Sequence, residues 1–305
     1  MVSVVIPCYN QARFLGEAIE SVLGQTRGRS DIVVVNDGST DNTVSVVDAY
    51  AGVQCISQRN QGRCAARNAG LARVTSDFVV FLDADDRLLP KAFEIGMDSF
   101  AAHPEAAFVA GRCVLLSEDG IQRDTRHQPI VEHNHYLTLL LDNYIWMPGT
   151  VMFRTSIVRE IGGFDPGLTA GEDYELYLRI TRRHRIACHD QAIAEYRQHG
   201  LSTTRDSMLM MRSTLSILCA QRDAIKGDPS AQRALRQGIR NWQDRYGEEI
   251  MNAVRKQLRA REWKRVIPSL VGLLRYHPAG FAQHACRKIT RVARGHSPES
   301  SDAIG

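Results

Sequence analysis

The stretch Phe78-Val79-Val80-Phe81-Leu82-Asp83-Ala84-Asp85-Asp86 runs five apolar residues straight into a group of carboxylates. It reads as a strand whose end projects negative charge. Working outward, the same design recurs. Val2–Ile6 is β-branched and stopped by Pro7, with Asn10 as a candidate N-cap for a helix over Ala12–Leu23. Apolar residues at 14, 15, 18, 19, 22 and 23 give that segment its helical period. Ile32–Val35 is continuous and β-branched, as a strand buried on both faces should be. Asn36-Asp37-Gly38-Ser39 then turns the chain toward a helix over Thr43–Tyr50. Gln54–Ser57 and Ala65–Arg73 read as a third strand and helix. This alternation predicts an α/β fold: a mostly parallel central sheet flanked by helices. Ligands of such sheets sit beyond the carboxyl ends of the strands, where Pro7–Asn10, Asp37–Ser39 and Asp83–Asp86 all fall.

Further along, Lys91–Phe100 is helical in pattern, Ala107–Ser117 strand-like, and 118–135 a polar connection. A Pro148-Gly149 turn interrupts the apolar stretch Tyr144–Arg154. Gly171-Glu172-Asp173 opens a helix ending near Arg183, and Ala192–Tyr196 reads as a strand. Beyond about residue 205 the pattern is helical only. Segments Asp206–Ala224, Ala231–Arg245 and Glu248–Arg261 are expected, with a break at Gly227-Asp228-Pro229. The expected organisation is an α/β domain over 1–204, a C-terminal helical extension over 205–294 and a disordered tail over 295–305.

Composition narrows the function classes. The seven cysteines are odd in number and scattered without a C-x-x-C pair, so neither a disulfide framework nor a thiolate zinc site is expected. No apolar run is long enough to span a bilayer, and the opening MVSVVIPCYN lacks the marks of a signal peptide. A cytoplasmic location is expected, with peripheral contact at the inner face of the membrane as an option. Charge is uneven: residues 1–250 hold 27 Lys and Arg against 31 Asp and Glu, whereas 251–295 hold 11 basic residues and one acid, Glu262. Whatever that basic segment touches should be anionic.

The candidate site residues each carry two readings. Asp83, Asp85 and Asp86 are costly to hold together without a cation, and carboxylate oxygens suit Mg²⁺ or Mn²⁺ bound to phosphate. A solvated acidic turn is the plainer alternative. Asp37 can accept an N–H from a nucleobase edge or cap the following helix, a task open also to Ser39 or Asp41. Pro7 and Tyr9 form either a platform for a base or a rigid loop with a half-buried ring. Arg63 and Arg67, four apart, share a helix face near its start, where guanidinium groups need an anion. A diphosphate or base carbonyl would serve, as would Asp83, Asp85 or Asp86. Glu172 and Asp173 are first-turn acids, and Asp173 is a general base if it faces a substrate hydroxyl. His199, beside Arg197, is structural, a ligand of an oxygen-rich metal site, or a phosphate contact.

G-x-S-x-G, G-x-x-x-x-G-K-[ST] and a G-x-G-x-x-G after the first strand are all missing, which speaks against serine hydrolases, P-loop kinases and ordinary dinucleotide dehydrogenases. The ordered series VSVVIPCYNQARFLGEAIESVLGQT (2–26), IVVVNDGSTDNT (32–43), NQGRCAARNAGL (60–71), FLDADD (81–86), GGFDPGL (162–168), GEDYELYLRI (171–180) and YRQHGLS (196–202) resembles the inverting glycosyltransferase family 2, with the GT-A fold. The resemblance covers about residues 2–204. It implies a metal-dependent transfer of sugar from a nucleoside-diphosphate sugar, most naturally a UDP-sugar, with Mn²⁺ or Mg²⁺ as cofactor. It further implies that Pro7, Tyr9, Asp37 and Arg67 face the nucleotide, with Arg63 and Glu172 beside it. Asp83 would lie near the ribose, Asp85 on the metal with Asp86 and His199 assisting, and Asp173 would be the base.

The implied acceptor is a hydroxyl of a glycan or lipid-linked acceptor, in bacterial cell-envelope polysaccharide synthesis. His127, His133, His135, Tyr144, Trp146 and the stretch Met147–Thr150 are candidates for sugar contact. The basic segment 251–294 alternates with Trp263, Val266, Ile267, Leu270, Leu273 and Leu274. It reads as a surface for anionic membrane, or as a solvated face or oligomer contact; nucleic acid is not expected. The rival readings are a sugar nucleotidyltransferase and a non-catalytic nucleotide-sugar or carbohydrate-binding protein.

Overall fold

A computed structural model describes residues 1–28, 30–123, 128–198 and 206–278. His127, His199 and the tail from 279, with Arg287, Lys288, Arg291 and Arg294, lie outside the described residues. The first half alternates as expected: β1 (Val2–Cys8), α1 (Ala12–Leu23), β2 (Ser30–Asp37), α2 (Thr43–Asp48), β3 (Gln54–Gln58), α3 (Arg63–Leu71) and β4 (Phe78–Phe81). There follow β5 (Arg87–Leu88), α4 (Ala92–Ala102), β6 (Phe108–Leu116), β7 (Gln122–Arg123) and α5 (His135–Leu141). A 3₁₀ turn at Pro148–Thr150 leads into β8 (Val151–Arg154), α6 (Thr155–Glu160), α7 (Glu172–Thr181) and β9 (Ala187–Arg197). Three helices end the described chain: α8 (Ser207–Ala220), α9 (Pro229–Arg259) and α10 (Trp263–Tyr276).

The strands form one sheet in the order β3-β2-β1-β4-β8-β6-β9-β5, with β7 beside β6. The pairs β1–β2, β1–β4, β2–β3 and β6–β9 are parallel. Antiparallel β8 joins the two parallel parts, pairing β4 on one side and β6 on the other. Register sets the site. Pairing of Val5 with both Val33 and Phe81 brings Pro7–Tyr9, Asp37 and Asp83 to the same sheet edge.

Strand residues alternate between two apolar layers, as the twofold period of a strand demands. Val5, Val33, Val35 and Phe81 meet one layer, with Leu176 of α7, while Val4, Ile6, Val34 and Leu82 meet the other, with Leu15 and Ile19 of α1. The first layer continues without interruption into Leu215 and Leu218 of α8, Leu235 and Trp242 of α9, and Val266 and Leu273 of α10. The C-terminal helices therefore share the core of the sheet. No described helix is long and apolar enough to cross a membrane.

Two local expectations are corrected. Asn10 does not cap α1: it adopts φ 54° and its side chain accepts the Thr40 N–H at 2.8 Å. Asp41 accepts the Ala12 N–H instead, at 3.0 Å, so α1 is started by a carboxylate from the next loop. The two helices expected over 231–245 and 248–261 are a single helix. Gly247 lies inside it, with the His277 ring packed where a side chain would stand. Asp228 begins that helix, accepting the N–H groups of Ser230 and Ala231. At Gly238 the backbone of α9 lies against the Leu140 carbonyl of α5, so closely that a methyl group would overlap it. Gly238→Ala should accordingly force α9 off α5 and cost about 1–3 kcal/mol in urea unfolding; an unchanged midpoint would show that the contact does not set the seat of α9.

Candidate active site

The carboxyl ends of β1, β2 and β4 and the start of α3 enclose a cleft of 460 Å³, lined among others by Pro7, Tyr9, Asp37, Arg63, Asp83 and Asp85. Loop cross-links hold these ends together. Asp41 ties α1 to the start of α2 by accepting the N–H groups of Ala12 and Thr43. Buried Asp37 accepts Gln58 Nε2 at 2.7 Å and the N–H groups of Gln61 and Gly62 at 2.9 Å each. It thus supports the turn into α3 and does not cap α2. A carboxylate offers about four acceptor positions, so these three donors leave one of them on Asp37.

A second compartment of 120 Å³ adjoins the first and shares Arg63, Asp83, Glu172 and Tyr196 with it. Asp173 lies here, with Trp146, Met147 and Pro148 from the loop before β8. Met210 and Thr214 of α8 and Trp242 and Tyr246 of α9 close its far side. The rings of Trp242 and Tyr246 stack at 5.4 Å.

Between the compartments sits Arg67, only 1% exposed. It donates to Glu172 Oε1 at 2.8 Å and Asp83 Oδ1 at 2.6 Å, and its guanidinium lies 5.1 Å from the Phe164 ring centre. Arg63 also donates to Glu172, at 3.1 Å. Of the partners expected for Arg67, it meets protein carboxylates through one N–H of each terminal nitrogen, and its side chain lines the second compartment. Arg63 is partly exposed and lines both compartments.

These contacts sort the acids. Burial pushes Glu172 upward, but the charges of Arg67 and Arg63 overcome it and hold its carboxyl below the ordinary range. Asp83 is lowered in the same way, with Arg67 as the main opposing charge to burial. Among the described residues, Asp173 has no such partner at contact distance. Its carboxylate accepts the Tyr174 N–H at 2.8 Å, and burial followed by the neighbouring Glu172 charge pushes it up to about 6.

Asp86 differs from Asp83 and Asp85. It is buried outside the cleft lining, accepts the backbone N–H of Arg197 at 2.9 Å, and is raised well above the ordinary range by burial and by Asp85 and Asp83. Arg197, which sequence reading passes over, secures this loop. Its Nε donates to the Asp85 carbonyl at 3.0 Å and its Nη2 to Glu17 at 2.6 Å. Among the expected acceptor residues, Trp146 lines the second compartment, whereas His135 and Tyr144 bond to each other at 2.8 Å outside it and His133 is exposed. Sequence reasoning misses Trp242 and Tyr246; two aromatic residues four apart on a polar helix are their only signal.

The model of the family described as glycosyl transferase family 2 matches residues 3–162, more than half of the chain. The chain belongs to that family. An uncharacterised glycosyltransferase of Nostoc sp. is 49% identical over 174 residues, covering 54% of each chain. An uncharacterised glycosyltransferase of Rickettsia felis is 30% identical over 206 residues, 67% of this chain and 34% of that one. The chain thus spans about a third to a half of the length of these relatives. Among solved structures, S. aureus TarS 1-349 in complex with UDP-GlcNAc superposes with a TM-score of 0.59 at 16% identity, covering 87% of this chain and 89% of that one. The mannosyltransferase PcManGT of Pyrobaculum calidifontis, in complex with GDP-Man and Mn²⁺, gives 0.59 at 17% identity, covering 97% and 81%. These likenesses establish the GT-A fold.

The raised Asp173 carboxyl has a consequence for stability. Its folded value, about 6, lies above the ordinary aspartate value of 3.8, so the ionised side chain costs folding free energy above pH 6 and nothing below the unfolded value. Asp173→Asn should raise the thermal midpoint at pH 7.5 and leave it nearly unchanged at pH 4. Equal shifts at both pH values would contradict the assignment.

Proposed function

We propose that the chain transfers a sugar from a nucleoside-diphosphate sugar to a hydroxyl of a glycan or lipid-linked acceptor, inverting the anomeric centre. One observation carries this reading. A cleft suited to a nucleotide and a compartment holding a raised carboxyl adjoin across a wall of Arg63, Asp83, Glu172 and Tyr196. The nucleotide lies in the larger cleft, over Pro7 and Tyr9, with the base edge toward Asp37. An imide N–H of uracil matches the acceptor position left on Asp37, which favours UDP. Guanine also offers a ring N–H, and the GDP-Man complex of PcManGT keeps GDP as the second reading.

A divalent cation fits the residues present. Asp83 and Asp85 bring hard carboxylate oxygens to the cleft, and among the described residues no group of three or more ligands forms a protein cage. Few carboxylates with substrate phosphates completing the shell is the usual manner of Mg²⁺, and the PcManGT complex contains Mn²⁺. Bound there, such an ion would offset charge on the leaving diphosphate. Arg63 supplies fixed positive charge from the protein side. Asp173 accepts the proton of the acceptor hydroxyl as that oxygen attacks the anomeric carbon. The bond from that carbon to the diphosphate oxygen breaks, and its electron pair leaves with the nucleoside diphosphate. A single displacement inverts configuration. The acceptor sugar lies against Trp146 and the stacked Trp242 and Tyr246, whose apolar faces suit the C–H face of a pyranose.

Asp173→Asn should lower transfer about 100- to 10,000-fold, the usual contribution of a positioned base, while binding of a UDP-sugar stays within about twofold by calorimetry. Trp242→Ala should raise the acceptor KM and leave the donor KM in place. Near-normal transfer by the Asn variant, or a donor KM moved as far as the acceptor KM by the Trp242 change, would overturn these roles.

A further inference from the structure

Helix α10 is apolar on two sides, and the core covers only one. Val266 and Leu273 enter the core, with Leu270 and Tyr276 packed at its edge. Trp263, Ile267, Val271 and Leu274 instead stand 59%, 61%, 58% and 53% exposed. Their spacing of four, four and three places them within an arc of about 80° on one face. Four large apolar side chains in one uncovered stripe are unusual on a soluble surface.

The surroundings are cationic. Residues 251–278 carry seven Lys and Arg and one acid, Glu262, which is paired with Arg265 at 3.2 Å. Among the described residues, Arg255, Lys256, Arg259, Arg261, Lys264 and Arg275 make no ion pair. Lys264 and Arg275 flank the stripe directly. A groove of 670 Å³ continues this surface from Arg275 past Arg212 and Arg222 to Leu168 and Thr169, which also line the nucleotide cleft. Among the described residues, no carboxylate lines that groove.

From this juxtaposition we propose that α10 seats the protein on an anionic lipid surface. The stripe enters the boundary between headgroups and acyl chains, and the basic end of α9 with Lys264 and Arg275 meets the headgroup phosphates. The groove then leads from the bilayer to the cleft. A second copy of the chain is the poorer occupant, because twofold pairing along the stripe would bring these unpaired cations together. A nucleic acid would satisfy the charge and leave the aliphatic stripe uncovered.

The test is co-sedimentation of the full chain with phosphatidylglycerol–phosphatidylcholine vesicles and with phosphatidylcholine vesicles alone, at low and high salt. The variants are Ile267→Ser/Val271→Ser, which alters only exposed side chains, and Lys264→Glu/Arg275→Glu. Thermal melts confirm that both fold. The wild type should pellet with the anionic vesicles and weaken as salt rises, and each variant should lose roughly tenfold or more in apparent affinity. Equal pelleting of wild type and both variants would overturn the proposal, as would no pelleting with anionic vesicles. A vesicle-independent dimer in ultracentrifugation, abolished by the serine pair, would also overturn it and assign the stripe to a second copy.

Discussion

The site depends on one buried guanidinium. Arg67 leaves α3 and, almost wholly shielded from water, bonds to the Asp83 carboxylate after β4 and the Glu172 carboxylate at the head of α7. Glu172 and Arg67 are 105 positions apart in the chain. Burying such charges costs several kcal/mol each before their attraction is counted, so the cluster is a weak source of net stability. What it fixes is geometry: the acid-bearing strand end and the helix carrying Asp173 cannot separate without leaving a charge unpaired. The same contact divides adjacent acids. Glu172 takes both arginines and is lowered, and Asp173, one residue on, is left to burial and to its neighbour's charge and rises to about 6. Neighbouring acids with opposite shifts are the arrangement from which acid and base roles are made.

Around that centre, the loops are held by carboxylates and guanidinium groups reaching across the sheet edge. Asp41 begins one helix from the loop of another, Asp37 supports the turn into α3, and Arg197 of β9 holds the Asp85 carbonyl with its side chain and the Asp86 carboxylate with its backbone N–H. The C-terminal helices complete the arrangement. They share the apolar layer of the sheet and deliver Trp242 and Tyr246 to the wall opposite the loop before β8. On the proposed function, a compartment built partly from these helices gives a physical route by which acceptor preference can vary while the larger cleft stays constant.

Much of this is legible in the amino-acid order alone. Continuous β-branched runs mark β1, β2 and β4, and the polar residues at their ends mark the cleft. Less local features are not legible there. Helix α5 reads HYLTLLL, too short and too uniformly apolar to show a helical period. Asp86 is indistinguishable from Asp85 in sequence, because its direction is set by the Arg197 backbone, 111 residues away. Arg67 reads as pairing with either a ligand anion or one of Asp83, Asp85 and Asp86, and nothing local marks Glu172 as its second partner. For α10 the helical spacing groups Val266, Leu273 and Ile267, whereas packing sends the first two inward and leaves Ile267 outside.

Arg67, Glu172 and the partly exposed Asp83 act as one unit. Its most direct test is the urea unfolding free energy of Arg67→Met, of Glu172→Leu and of the two combined. Removal of the guanidinium alone should cost about 3–5 kcal/mol, because Asp83 loses its partner and Glu172 keeps only Arg63, and adding Glu172→Leu should return part of that loss. Losses that simply add, or a cost below about 1 kcal/mol for Arg67→Met, would contradict the account.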